Sequence, residues 1–397
     1  MTTEAGDVDE RRTYAVVGST GKATTCYLLD HVLAALGRST ALFSTVEIRV
    51  GAEHTPVERD SRPDMTALLE RADVARIDDT ILELRWPELT AGAAGDRRID
   101  VAVFTDLDPE VEGDDLGARL DLAADLLRRA GRAIVLVDDE AGAALARRVP
   151  GAVTVGTRSK GPDADWQLSV NASRVDHIDF TITHRTGRSV STSLWIPTRF
   201  TAGFAALALV AVLETGITGS MIGRVLPKGM RPVVPGRIER VADHPRCVVD
   251  ISHNPFRLRR ALVPLRHTTR GRLVVVVAAR GTDTPQTRRQ IGAAAAHADS
   301  IVVTDDDYGP EDDPAAIRAD VIAGAREAGA RSVSEVSPRS IAIRGAVALA
   351  GRDDTVLVAG RGHLTWLRSG DTREHLDDRE EVRAGIAQRD GRHAGSG

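Results

Sequence analysis

From residue 13 to about 156, short runs rich in β-branched and apolar residues alternate with segments whose apolar positions recur at helical spacing. The runs are 13–17, 41–45, 80–84, 101–105, 133–137 and 152–155. The segment after the first run places Leu29, Val32, Leu33 and Leu36 on one helical face, and Gly37 ends it. Strands that alternate with helices predict an α/β fold with a mostly parallel sheet covered on both faces. In 166–196 the period changes. Leu168, Val170, Ile178, Phe180 and Ile182 alternate with polar residues around the turn-like Thr186-Gly187-Arg188, which predicts antiparallel hairpin structure. An apolar helix is expected over about 203–215, and the breakers of 227–232 read as a linker. A second α/β pattern follows, with strands near 248–251, 273–278, 300–304 and 355–359 and helices at 313–327 and 338–349. The expected organisation is a disordered tail over 1–12, domains over 13–233 and 234–388, and a second tail over 389–397.

Composition narrows the class. A chain of 397 residues with 42% hydrophobic residues can bury two or three cores. Net charge is −5 with no basic stripe, so nucleic acid is not the expected partner. No apolar run approaches the roughly 18 residues of a membrane helix. The polar, acidic start is not a signal peptide. Two cysteines, Cys26 and Cys247, exclude a disulfide framework or a cysteine-rich metal site. A cytoplasmic protein is expected. Lysine occurs only at 22, 160 and 228, with arginine carrying almost all other positive charge. A lysine that persists against such a bias is a candidate for chemistry.

Lys22 closes the loop Gly18-Ser19-Thr20-Gly21-Lys22, between the first predicted strand and its helix. Successive backbone N–H groups and a helix N-terminus there favour an anion, and a lysine adds a point charge for the β- and γ-phosphates. The P-loop pattern GxxxxGK[ST] is missed twice: Val16 holds the first glycine position and Ala23 the Ser/Thr position that gives Mg²⁺ a hydroxyl. The alternative is a tight turn with an incidental lysine. Thr24 or Thr25 can partly replace the missing hydroxyl.

At this point the chain resembles the Mur ligase family, which carries GTNGKTT here, and its MurE-like branch above all. Ser61-Arg62-Pro63-Asp64 resembles a TTPxA segment, and Ile81-Leu82-Glu83 ends a strand where the family has a metal-binding Glu. Residues 101–107 are similar to VAVFTNL, and Val137-Asp138-Asp139-Glu140 to ADDE. Residues 235–241 are similar to VPGRMERV, and 250–255 to DYAHTP and to the DGAHNP of folylpolyglutamate synthases. Thr304-Asp305-Asp306-Asp307 stands where the branch has TDDN, and residues 359–363 where it has AGKGH. The resemblance runs from about residue 13 to 386. It implies a central P-loop-type ATPase domain and a C-terminal Rossmann-like domain that brings the amine. It also implies an acyl phosphate that an amine attacks, with ATP and Mg²⁺ as cofactors. The family's own first domain, which grips a UDP-sugar, has no counterpart in this sequence, so an altered substrate pair is expected.

The resemblance assigns catalytic roles to Lys22, Glu83, Arg237 and His253. It assigns nucleotide contacts to Gly18, Ser19, Thr20, Gly21, Lys22, Thr24, Asp250 and Asn254. Metal roles fall to Glu83 and to Asp125, which matches the family's carbamylated lysine. Each has a plainer reading: Asp125 as an exposed helix residue, His253 and Asn254 as a turn opening a helix, Arg237 as a cap on the linker instead of a phosphate contact. His363 sits in a glycine loop facing the cleft, with its role open. The departures fall at chemical positions. The TNLxxDHLD segment has no His here, leaving Asp108, Glu110 or Glu112 as substitutes; Phe204 matches an adenine-contacting Asn; Tyr308 and Gly309 replace the Pro-Arg of DNPR; Leu364 replaces a Glu. Two functions follow. One is an active ligase on a small-molecule carboxylate and amine, with a pathway partner protein. The other is a catalytically degenerate nucleotide-binding or scaffold protein.

Overall fold

An uninterrupted apolar strand belongs in a sheet covered on both faces. β1 (Arg12–Val17) is one, with Tyr14, Ala15, Val16 and Val17 fully buried. The computed structural model describes residues 11–58, 64–92, 97–108, 115–157, 163–196 and 198–394. The chain divides into two units, one up to Val233 and one from Val234.

Among the described residues, the first unit has one sheet of eleven strands. After β1 come β2 (Thr40–Phe43), β3 (Glu47–Val50), β4 (Glu53–Pro56), β5 (Asp79–Glu83) and β6 (Val101–Phe104). They are followed by β7 (Arg132–Leu136), β8 (Val153–Gly156), β9 (Trp166–Ser173), β10 (Ile178–His184) and β11 (Ser189–Leu194). The order is β11-β10-β9-β8-β7-β6-β1-β5-β2-β3-β4. The run β2-β5-β1-β6-β7-β8-β9 pairs in parallel, while β3 and β4 at one edge and β10 and β11 at the other add antiparallel strands. The β3–β4 pair is not legible in the sequence because the four exposed residues of β4, three of them polar and the last a proline, show no hydrophobic period. The helix expected over 203–215 begins earlier, at Arg199, and runs to Leu213. Every residue from Thr201 to Val212 is buried. A helix apolar all round must be enclosed, and this one packs against the helix Lys22–Ala35 that follows β1.

The second unit holds β12 (Glu239–Asp243), β13 (Arg246–Asp250), β14 (Leu273–Val277), β15 (Ser300–Val303), β16 (Val333–Glu335) and β17 (Thr355–Ala359). Their order is β12-β13-β17-β14-β15-β16, parallel except for β12. A separate hairpin joins β18 (Trp366–Ser369) to β19 (Thr372–His375). The last helix spans Asp378–Ala394 and so runs past residue 388, where a tail is expected. Val382 is buried and Ile386 packs on the core beneath them, so the helix is held by apolar contacts and continues through a polar end.

Candidate functional site

Strand order reverses at β1, whose neighbours β5 and β6 lie on opposite sides. Such a switch point leaves a crevice at the carboxyl ends of the strands. β1 turns there into residues 18–21. Gly18 has φ +146° and Gly21 φ +77°, conformations that glycine adopts at least cost. A Cβ at 18 would lie 2.1 Å from Thr105 Oγ1, and one at 21 would lie 2.2 Å from the Phe204 ring. The helix beginning at Lys22 has no side-chain cap, which leaves N–H groups directed at whatever anion enters. Lys22 Nζ is folded back over its own loop, donating to Gly18 O at 2.7 Å and Ser19 O at 3.4 Å. Ala23 and Thr24 are buried in the first turn.

The neighbouring strand stitches this loop in place. Just past β6, Asp106 O accepts from Ser19 N at 2.9 Å, and its carboxylate accepts from Thr20 N at 2.7 Å and from the Thr20 hydroxyl. Thr105 Oγ1 donates to Thr20 O at 2.6 Å, and Asp108 N to Ser19 Oγ at 3.0 Å. One strand further, past β7, burial pushes the Asp139 carboxyl up; N–H groups of Gly142 and Leu107 oppose this, and the Asp106 and Asp138 charges add to it.

On the other side, β5 ends at Glu83, in register with Val16 of β1. Glu83 is 5% exposed. Its Oε2 accepts from Thr45 N at 2.7 Å and Thr45 Oγ1 at 2.9 Å. It lines a small pocket whose apolar wall is Phe43, Ile48, Val57, Met65 and Leu68 and whose rim carries Arg85 and Glu88, joined to each other at 2.5 Å. Cys26 lies beneath. Burial pushes its thiol well up, Glu83 pushes it further, and Lys22 opposes.

In the second unit three loops interlock at the carboxyl edge of β13 and β17. Ile251 N donates to Gly236 O at 2.8 Å, and Gly360 N to Asp250 O at 3.0 Å. A Cβ at Gly236 would meet His363 N at 2.0 Å. Asp250 is buried and accepts from Ile238 N at 2.7 Å, Ser252 N at 2.9 Å and the Ser252 hydroxyl. Burial pushes its carboxyl up; these bonds and the Arg237 charge only partly oppose it. A raised folded value favours the protonated form on folding. The stabilisation is complete below about pH 4 and is lost as pH rises through the raised value. The stability of the wild type relative to Asp250→Asn is therefore expected to fall as pH rises from about 4 toward neutral. Urea unfolding of both proteins across that range measures it, and a pH-independent difference would contradict the assignment.

The family model of the Mur ligase middle domain matches residues 16–212, and that of the Mur ligase glutamate ligase domain matches 236–362. A UDP-N-acetylmuramyl-tripeptide synthetase of Leifsonia xyli subsp. xyli is 34% identical over 94% of this chain and 75% of that protein. The chain belongs to the Mur ligase family. A UDP-N-acetylmuramoyl-L-alanyl-D-glutamate–2,6-diaminopimelate ligase of Corynebacterium glutamicum is 31% identical over 94% of the chain and 75% of its own length. A solved structure of a ligase of that same name superposes with TM-score 0.69 at 23% identity, over 96% of this chain and 79% of the other. A bifunctional folylpolyglutamate synthase/dihydrofolate synthase of Yersinia pestis, complexed with AMPPNP and Mn ion, does so with TM-score 0.67 at 18% identity, over 97% and 90%. These last two likenesses are likenesses of fold. Membership places the chain among ATP-dependent amide-forming ligases. Among the described residues no helix is long and apolar enough to cross a membrane.

Within this Mur ligase scaffold, Gly18, Ser19, Thr20, Gly21 and Lys22 form one loop, with Glu83 one strand away. Asp125 stands on an exposed helix position. On the helix Leu116–Arg129 the buried face is Ala123, Ala124, Leu126 and Leu127. Asp125 is 66% exposed and paired with Arg128 at 2.8 Å, as its plainer reading expects. Asn254 caps the helix Pro255–Thr268, accepting from Arg257 N at 2.8 Å. His253 Nδ1 donates to Ile251 O at 2.9 Å. Arg237 N donates to Val234 O at 3.1 Å, and its Nε is buried without a partner among the described residues. Ser61, Glu110 and Glu112 lie outside the described residues. Among those described, no group of three or more His, Cys, Asp or Glu converges as a metal cage. Nothing in the sequence pattern marks Thr45 as a site residue; for Asp106 the signal is its position one step past a predicted strand, beside the loop strand.

Proposed function

We propose that this chain is an ATP-dependent carboxylate–amine ligase that works through an acyl phosphate on an acid and an amine other than the peptidoglycan pair. The observation that supports it best is the glycine loop with Lys22 standing one strand from Glu83 and its pocket. The uncapped N–H groups at the start of the helix Lys22–Ala35 and the Lys22 ammonium hold the phosphates of ATP, and the acid lies with its carboxylate toward Lys22 and its apolar part in the pocket. A carboxylate oxygen attacks the γ-phosphorus and ADP leaves; the amine then attacks the acyl carbon and phosphate leaves. Mg²⁺, when bound, neutralises phosphate charge, and Glu83 is its protein ligand. A changed amine pocket is supported by residues 306–308. Arg361 takes both Asp306 and Asp307, at 2.7 and 2.8 Å. Tyr308 bonds the β18–β19 hairpin through Arg368 O at 3.1 Å and Gly370 N at 3.1 Å. The segment is thus built into the fold where the family has its Pro-Arg.

The experiment is release of ADP from Mg-ATP across a panel of acids and amines, with hydroxylamine added to trap the acyl phosphate. Hydroxamate formed from one acid supports the reading. ADP release that no acid stimulates overturns it. A second reading, a nucleotide-binding protein without turnover, is favoured by the Ala23 methyl and by the Phe204 ring seated on Gly21. Micromolar binding of Mg-ATP with no turnover on any pair would establish that instead.

A further inference from the structure

The phosphate loop already holds an anion of its own. Asp106 stands two residues past the end of β6, and its carboxylate accepts two donors from one loop residue: Thr20 N–H to Oδ1 at 2.7 Å and the Thr20 hydroxyl to Oδ2. Its backbone carbonyl accepts from Ser19 N at 2.9 Å, so side chain and main chain are both fixed on the loop. Thr105 Oγ1 closes the other side through Thr20 O at 2.6 Å. A carboxylate held this way cannot swing clear without breaking the loop's own shape. Lys22 Nζ, the loop's cation, is meanwhile directed onto the carbonyls of Gly18 and Ser19.

A fixed negative charge repels a bare nucleotide diphosphate or triphosphate. It repels the same nucleotide much less when a divalent cation cancels two of its charges, and hard cations are drawn to carboxylate oxygens. Ala23 gives the cation a methyl where a hydroxyl would stand, so the loop's contribution toward it is one of charge. We propose that Asp106 makes the loop select the divalent-cation complex of a nucleotide over the metal-free nucleotide. Asp106 is a specificity determinant for the charge state of the ligand. This rests on the nucleotide-site reading above.

Asp106→Asn removes the charge and keeps the shape. The amide oxygen accepts from Thr20 N–H, and the Thr20 hydroxyl turns to accept from the amide N–H. Calorimetry of ADP with the full chain, once in EDTA and once in excess Mg²⁺, gives the ratio of the two affinities. In the variant, metal-free ADP is expected to bind about tenfold tighter while Mg-ADP changes by less than about threefold, so the ratio falls. Thr20→Val removes the hydroxyl that offsets the charge and is expected to move the ratio the other way. Coincident melting curves check that both variants fold. A ratio unchanged in Asp106→Asn, equal losses in both conditions, or a fall in Thr20→Val overturns the proposal. A wild type that binds neither form overturns the nucleotide site and this proposal together; an unchanged ratio in a chain that binds both overturns this proposal alone.

Discussion

Lys22→Ala is expected to lower acid-dependent ADP release by about 10²–10³-fold, the usual effect of deleting one preorganised donor aimed at developing charge. The lysine is poised at the mouth of a helix with no side-chain cap, its ammonium 2.7 Å from Gly18 O. Arginine is not an adequate replacement, because its planar guanidinium spreads over a fork the charge that an ammonium presents as a compact point. Lys22→Arg is expected to remain closer to the alanine variant than to the wild type. Steady-state kinetics at saturating Mg-ATP separates the loss in turnover from the loss in binding. Turnover within about threefold of wild type would remove the loop from the chemistry.

Arg339→Met is expected to destabilise the second unit by about 3–5 kcal/mol, the range found when one member of a buried pair is removed. Arg339 and Asp378 are both fully buried. Arg339 Nε and Nη2 each donate to the Asp378 carboxylate at 2.8 Å, and Nη2 also reaches Ala359 O at 2.9 Å. Removing the guanidinium leaves a fully buried carboxylate without its two hydrogen-bond donors at the start of the last helix. Adding Asp378→Leu removes the stranded charge and is expected to restore most of the loss. Denaturant unfolding of the single and double variants measures both. A single-variant loss under about 1 kcal/mol would show the pair behaving like a surface bridge.

The parallel core was legible because buried strands write themselves as continuous apolar runs, as in Leu273–Val277. The short β3–β4 hairpin was not, since Glu53–Pro56 is exposed throughout. The last helix was underestimated because its polar end hides Val382 and Ile386, which hold it down. In the candidate site, the glycine loop was readable from local constraint alone: two positive φ values and a lysine at a helix start. Glu83 was readable as a strand end. Thr45, Asp106 and the Glu83 pocket were not, because each depends on which strands become neighbours. Asp125 lies between two apolar residues on either side, and these turn its own side chain outward, where it pairs with Arg128.

Arg361 has a consequence for how this protein can be altered. One buried guanidinium holds Asp306, Asp307 and Trp366 O, while Asp307 also accepts from Arg368 N at 3.0 Å. Three separated stretches of chain thus behave as one heritable block. A lineage, or an engineer, cannot exchange residues 305–309 for those of a relative without importing position 361 and the hairpin as well. Chimaeras that transplant all three together should express and fold, whereas single-segment grafts should accumulate as insoluble protein.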